Sequence, residues 1–423
     1  MHKPSLPKLN FRIRAVVFCT VLFGFIGLSL PYPIFSPMLL SKTYGLFGPS
    51  VSNQVRLILL GISLAAYPTG QFLGSPILGR LSDHYGRKPV LILSLCVTTI
   101  CYLGIGFAIR LFLFWIILLC LFIAGFSEGN VAIAQSTTAD LGAYREKAKN
   151  FSSINIATNI GWIIGPLISG KLADSALVSW FTYSTPFYFA FLLGIGNILF
   201  VIAAFPNYKI AQISKHPAWK DLFSTFVKNI KRPDLRIFFV YTLLGFLSVF
   251  FYFYYYAPFM VERFQFGPSQ IANFTAYMSI PLIIANYLIR YLMPHWGLVK
   301  LGIYSHFILA AAIIIFILPK SANALWFTIL PIGFMITVSE ISSAVLVSNA
   351  AGEHEQGTIM GVYRSLQVLT ELLAALFGGL LASINIHAPF IVSCGFAILA
   401  ALLLIFFKSA LTKKDVLKNH REI

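Results

Sequence analysis

Residues 74–93 read GSPILGRLSDHYGRKPVLIL, a short charged segment between two long apolar runs. Gly79, Asp83, Gly86, Arg87 and Lys88 fall within it in the order G-x-x-x-D-x-x-G-R-K. Working outward, the chain holds twelve predominantly apolar runs: 15–40, 55–79, 89–109, 112–139, 150–173, 184–206, 237–261, 270–293, 300–318, 323–350, 358–383 and 388–407. Runs of 18 or more apolar residues are the mark of membrane-crossing helices. Backbone in lipid must satisfy its own hydrogen bonds, so only helices or a closed barrel span. These runs are continuous rather than alternating, which predicts helices. The fold expected is an all-α integral membrane protein with 12 transmembrane helices in two six-helix halves.

Composition agrees. Apolar residues make up 58% of the 423 residues and charged ones 11%, too little charge for a soluble chain of this length. The formal net charge of +17 raises the question of nucleic acid, but its placement answers it. With the N-terminus set on the cytoplasmic side, only Lys42, Arg56, Arg110, Lys171, Arg263 and Lys320 fall toward the outside, and Arg364 lies within a span. The other Lys and Arg lie in cytoplasmic segments, the positive-inside bias of a chain with both termini in the cytoplasm. Those cations face lipid head groups, not nucleic acid. The apolar run after Lys3, Lys8, Arg12 and Arg14 is too long for a signal-peptide core and reads as a retained first helix. No organelle-targeting segment is recognised, which fits a bacterial inner membrane. All five Cys fall within spans, with no disulfide framework or metal spacing, and no cofactor is expected.

The longest polar stretch, Asn207 to Arg236, follows the sixth run. It predicts an N-terminal six-helix bundle at 1–206, a cytoplasmic linker at 207–236, and a C-terminal six-helix bundle with a cytoplasmic tail at 237–423. Transporters built from repeated halves have this layout, with a site near the bilayer midplane. An internal echo supports repetition. Ser127-Glu128 followed by Ala132, Ser136 and Ala139 in the fourth run matches Ser339-Glu340 followed by Ala344, Ser348 and Ala351 in the tenth.

Three carboxylates lie near the middle of spans: Glu128, Glu340 and Glu371. An ionised carboxylate at the bilayer centre costs at least ~2.5 kcal/mol, so such a group faces a wet cavity, pairs with a cation or binds a proton. All three are therefore candidates for carrying protons. Arg364, Gln367 and Glu371 are spaced three and then four residues apart and share one helix face. Arg364 stands about 10 Å from Glu371 along the axis; it either faces the cavity or snorkels to head groups. Gln135, seven residues after Glu128, and Asn155 and Asn159, four apart, are candidate cavity-lining amides or packing hydrogen bonds between helices. The seventh run holds FFYFYYYAPF from Phe250 to Phe259. Tyr252, with Tyr32 and Tyr277, suits a flat, partly apolar or cationic ligand; the rings after Tyr254 read as an interfacial aromatic belt.

The Gly79–Lys88 segment resembles the loop between helices 2 and 3 of the major facilitator superfamily, with His84 where members usually carry Arg. Gly161-Trp-Ile-Ile-Gly165-Pro166-Leu-Ile-Ser-Gly170 resembles the G-x-x-x-G-P-x-x-x-G motif of that superfamily's proton-driven exporters. Glu355 to Leu366 looks like helix 11 of tetracycline and multidrug exporters. The resemblance spans nearly the whole chain. It implies rocking of two halves around a central site, with Asp83 holding one conformation at the N-terminus of helix 11, and it implies antiport rather than symport. Two departures stand out: Leu22 to Gly27 lacks the Asp that drug exporters of this kind often carry in helix 1, and Cys120 to Gly125 lacks their Arg in helix 4. Proton coupling is therefore expected to use Glu128 first, with Glu371 and Glu340.

The function expected is proton-coupled efflux of amphipathic small molecules by a monomer, with substrate, proton and lipid as its partners. The alternative is a dedicated siderophore, sugar or amino-acid porter, including an importer. An enzyme is not expected, because no metal-ligand cluster, phosphate-cradling loop or nucleophile elbow occurs in the sequence.

Overall fold

Gly86 is the joint of the decisive stretch. Its φ of +97° lies in a region that L side chains rarely adopt, so glycine ends one helix and begins the next there. The computed structural model describes residues 6–41, 46–129, 133, 137, 144–205, 226–351 and 355–419. In chain order the helices are α1 (Leu6–Ser29), α2 (Pro31–Leu40), α3 (Asn53–Tyr85), α4 (Arg87–Arg110), α5 (Phe114–Phe126), α6 (Tyr144–Leu172), α7 (Thr185–Ala204), α8 (Arg236–Phe264), α9 (Pro268–Trp296), α10 (Leu298–Ile317), α11 (Ala322–Ala350), α12 (Gln356–Ile384) and α13 (Ala388–Asn419). Among the described residues, 10 helices are long and apolar enough to cross a membrane, the first running unbroken in composition through α1 and α2. The fourth predicted span is represented by the 13-residue apolar helix α5 and the fifth by the 29-residue α6. The protein is a multi-pass, all-α membrane protein.

Two predicted spans are interrupted. The first divides at Leu30, because Pro31 and Pro33 supply no N–H to the preceding turn. The fourth stops at Ser127. There Ser94 Oγ donates to the Ser127 carbonyl and accepts from Gly129 N at 3.3 Å, taking over bonds that a continuing helix would make. Non-helical backbone at membrane depth is tolerated where protein or a cavity surrounds it.

The chain forms two compact units: Met1–His216 with Met260–Ala276, and Pro217–Phe259 with Tyr277–Ile423. In the first, α3 packs on α5, α1 on α6, and α4 on α5 and α7. The motif glycines set the α1–α6 crossing. A Cβ on Gly161 would stand 2.6 Å from Phe25 Cβ, and one on Gly165 would meet Ser29 Oγ and lie 2.7 Å from the Ile26 carbonyl. Ser29 Oγ also donates to the Gly161 carbonyl at 3.2 Å. Gly170 packs directly on Pro268 and Ala272, which places that segment in the same unit. In the second unit α10 packs on α11 and α13, and α12 touches both of those helices. An apolar cluster around Phe239, Tyr241, Val347, Ile359 and Leu404 fills its interior.

Arg56, near the start of α3, is only 1% exposed. All five of its N–H directions are used on main-chain carbonyls: Nε to Val51, Nη1 to Leu39 and Ser41, Nη2 to Phe47 and Gly48, at 3.1–3.2 Å. Leu39, Ser41, Phe47, Gly48 and Val51 are thereby gathered around one guanidinium.

Candidate functional site

In the first unit, Glu128 sits on the interruption after α5 and is 4% exposed. Gln71 Nε2 donates to Glu128 Oε2 at 3.0 Å, the Tyr67 hydroxyl donates to the same carboxylate, and Tyr102 stands within electrostatic reach. Tyr67 and Gln71 are one helical turn apart on α3, so α3 presents both to the carboxylate. Gly27 makes room for Tyr102, because a Cβ there would lie 2.7 Å from its Cζ. Glu128, Tyr67, Tyr102 and Asn197 line a cavity of about 30 Å³, enough for at least one water. Tyr32 packs on Trp162 with ring centroids 5.0 Å apart and reaches Tyr67 electrostatically.

In the second unit, Glu340 on α11 and Glu371 on α12 both lie within electrostatic reach of Arg364 and of each other. Arg364 Nη1 donates to Gln367 Oε1 at 2.6 Å, and Gln367 hydrogen-bonds Glu371 in turn. Arg364, Gln367 and Glu371 thus form one polar stripe along α12, half-buried rather than splayed to the surface. The Tyr363 hydroxyl donates to the Glu340 carbonyl at 3.3 Å.

The 79–88 segment is built as follows. Asp83 pairs with Arg87 at 2.5 Å, and Arg87 Nη1 also donates to Ser82 Oγ at 2.7 Å. Lys88 Nζ donates to the Ile202 carbonyl at 2.8 Å, tying α4 to α7. Gly79 borders open space.

Other sequence candidates land elsewhere. Tyr252 is 0% exposed and wedged against Tyr256, Phe316 and Phe390. The belt expected after Tyr254 is absent for the same reason. Tyr255 fits a slot left by Gly378 and donates to the Ala375 carbonyl at 2.6 Å, and Tyr256 and Phe259 are equally buried. Rings on every side of α8 pack inward because α8 is covered by neighbouring helices on more than one face. Tyr277 is half-buried against Trp326. Asn159 is exposed on α6. Gln135 lies outside the described residues, as does the Asn155 side chain. Among the described residues no group of three or more His, Cys, Asp or Glu is placed to hold a metal. Sequence reasoning missed Tyr67, Gln71 and Tyr102. The i, i+4 pairing of Tyr67 and Gln71 is the signal that would have found the first two.

A helical membrane protein with a buried carboxylate in one unit and half-buried carboxylates in the other has the make-up of a transporter. Residues 17–374 match the model of the Major Facilitator Superfamily, and the chain belongs to that family of transporters, not to an enzyme family. It is 24% identical over 405 residues to Multidrug resistance protein 2 of Bacillus subtilis (strain 168), covering 92% of this chain and 93% of that protein. It is 24% identical over 399 residues to Quinolone resistance protein NorA of Staphylococcus aureus (strain MSSA476), covering 93% and 96%. A 166-residue stretch, 39% of this chain and 38% of the relative, is 34% identical to Tetracycline resistance protein, class H, of Pasteurella multocida. In fold it resembles the human organic anion transporter MFSD10, with TM-score 0.68 and 22% identity over 95% of this chain and 100% of that one. It also resembles a D-xylose-proton symporter, with TM-score 0.71 and 15% identity over 93% and 97%.

Proposed function

We propose that this transporter is a proton-coupled efflux antiporter of amphipathic small molecules, neutral or cationic. One observation carries the reading: Glu128 is buried on broken helix, beside a water-sized cavity, held by an amide and phenols. Such partners tolerate a carboxyl in either charge state, which a proton carrier requires. Glu340 and Glu371 are the coupling carboxylates of the second unit. The glycines at 79, 86, 161, 165 and 170, with Asp83, Arg87, Lys88 and Pro166, serve the conformational change. The resistance functions in the names of the sequence relatives support efflux. The protein works as a monomer in a bacterial inner (plasma) membrane with both termini in the cytoplasm.

Arg364 favours a second reading. A cation inside a span suits an anionic substrate, which favours, among dedicated siderophore, sugar or amino-acid porters, importers included, one whose substrate carries a carboxylate or other anion. One experiment separates the two. Proteoliposomes with a preset pH gradient are challenged with cationic dyes, antibiotics and iron chelators. Collapse of the gradient by dyes or drugs in wild type but not in Glu128→Gln supports the antiporter. Collapse unaffected by Glu128→Gln removes Glu128 from the mechanism, and a response confined to one anionic compound favours the porter.

A further inference from the structure

Glu340 borders a second cavity that the transport reading leaves unused. It is lined by Tyr241, Thr242, Gly245 and Phe246 of α8, His306 of α10, and Ser339, Glu340 and Ser343 of α11. Its volume is about 10 Å³, the least that a single water needs. His306 is 1% exposed. Its Nδ1 lies 2.7 Å from the Gly302 carbonyl, and a carbonyl only accepts, so Nδ1 carries the hydrogen. The neutral ring then has its lone pair on Nε2. That atom is buried and has no hydrogen-bond partner among the described residues, and the same holds for the Tyr241 hydroxyl. The two rings stand 5.2 Å apart, edge to face. A side chain at 245 would close the space, since a Cβ there would lie 2.9 Å from Nε2. Two unpartnered polar atoms, a glycine that keeps one of them open, and the residue Glu340 therefore border one water-sized void. Buried polar groups are rarely left unpartnered unless a water, an ion or a chemical role accounts for them.

We propose that His306 is a second proton site of this unit, joined to Glu340 through one water in that cavity and steadied by Tyr241. The proton leaves the Glu340 carboxyl for the water, which passes one of its own to His306 Nε2. The products are a carboxylate and an imidazolium, and the cavity's net charge is unchanged. The titratable groups facing this place are Tyr241 on α8, Glu340 on α11 and Tyr363 on α12, which reaches Tyr241 electrostatically; Cys394 on α13 binds the Ala310 carbonyl of α10. Arg364 and Glu371 act on Glu340.

The inference rests on the reading of Glu340 as a proton carrier, and its test is made independent of transport. The full chain, 15N-labelled at histidine in lipid nanodiscs, is titrated from about pH 9 to about pH 3 by NMR. The chain has 8 His, and the signal absent from His306→Gln belongs to residue 306. The expected result is an Nδ1-protonated ring that takes a second proton as pH falls, with a midpoint displaced by about one pH unit in Glu340→Gln. Should His306→Gln fail to fold, Gly245→Ala keeps the ring and displaces the same midpoint, and the signal it moves is the one assigned. A ring that stays neutral throughout, or an identical midpoint in Glu340→Gln and Gly245→Ala, overturns the proposal. Gradient collapse in wild-type proteoliposomes is measured alongside. Linked titration without collapse keeps the proton pair and refutes coupling; collapse without linked titration refutes the pair and leaves the antiporter standing.

Discussion

The echo between Ser127-Glu128 and Ser339-Glu340 puts the same residue types into two different electrostatic settings. Glu128 stands on interrupted backbone with Gln71, Tyr67 and Tyr102 around it. Glu340 stands on the continuous helix α11 and shares a single guanidinium, Arg364, with Glu371. An amide or phenol serves a carboxyl whether or not it is ionised. A guanidinium serves only the anion, and one guanidinium balances one carboxylate. The first site thus offers partners that suit either form of its carboxyl, whereas the second offers one cation to two carboxyls. A repeated stretch of sequence thus carries its carboxylate in two different settings.

The comparison can be broken most forcefully at Arg364. Arg364→Gln removes the shared cation from two neighbouring half-buried carboxylates and is expected to cost about 1–3 kcal/mol. Thermal unfolding in detergent reads this, and adding Glu371→Gln should restore much of the loss. If the single variant is as stable as wild type, the second site does not depend on charge balance. Next, Glu128→Gln should lower pH-driven exchange about a hundredfold while leaving thermal stability within about 0.5 kcal/mol, because an amide keeps the hydrogen bonds. A large stability loss would show that the first site, too, needs a charge. Gly165→Val tests the frame rather than either site. Overpacking the α1–α6 crossing should cost about 1–3 kcal/mol, read as a lowered unfolding temperature. The smallest effect is expected from Ser94→Ala, which strips two hydrogen bonds from the backbone at Ser127 and Gly129. Its cost should be about 1 kcal/mol, with weakened gradient collapse if the interruption positions Glu128. Unchanged collapse would separate the break from the carboxylate's role.

The spans were legible because lipid demands long apolar runs whatever the packing. The three carboxylates were legible because charge is scarce in such runs, and the Arg364–Gln367–Glu371 stripe because helical spacing alone aligns it. The breaks were less so. Pro31 and Pro33 announce the one after Ser29, but the one at Ser127 depends on Ser94, a residue 33 positions earlier that no local pattern marks. The aromatic run on α8 misled for a related reason. Tyr252 and Tyr255 look like ligand-facing or interfacial rings until the helices covering α8 are known. His306 reads as an isolated residue in an apolar run, and only packing brings Gly245, Tyr241 and Glu340 beside it.

The caged Arg56 carries a consequence for how the protein responds to its medium. The exposed Arg232, bound to Asp234 at 2.9 Å and Glu355 at 2.7 Å, is a contact that salt screens and acid dissolves. The buried Arg56 leans on main-chain carbonyl dipoles, which neither titrate nor exchange counter-ions. The joint between α2 and α3 is therefore expected to keep its shape through the changes of acidity and ionic strength that a membrane surface meets, while the join ahead of α8 loosens with them.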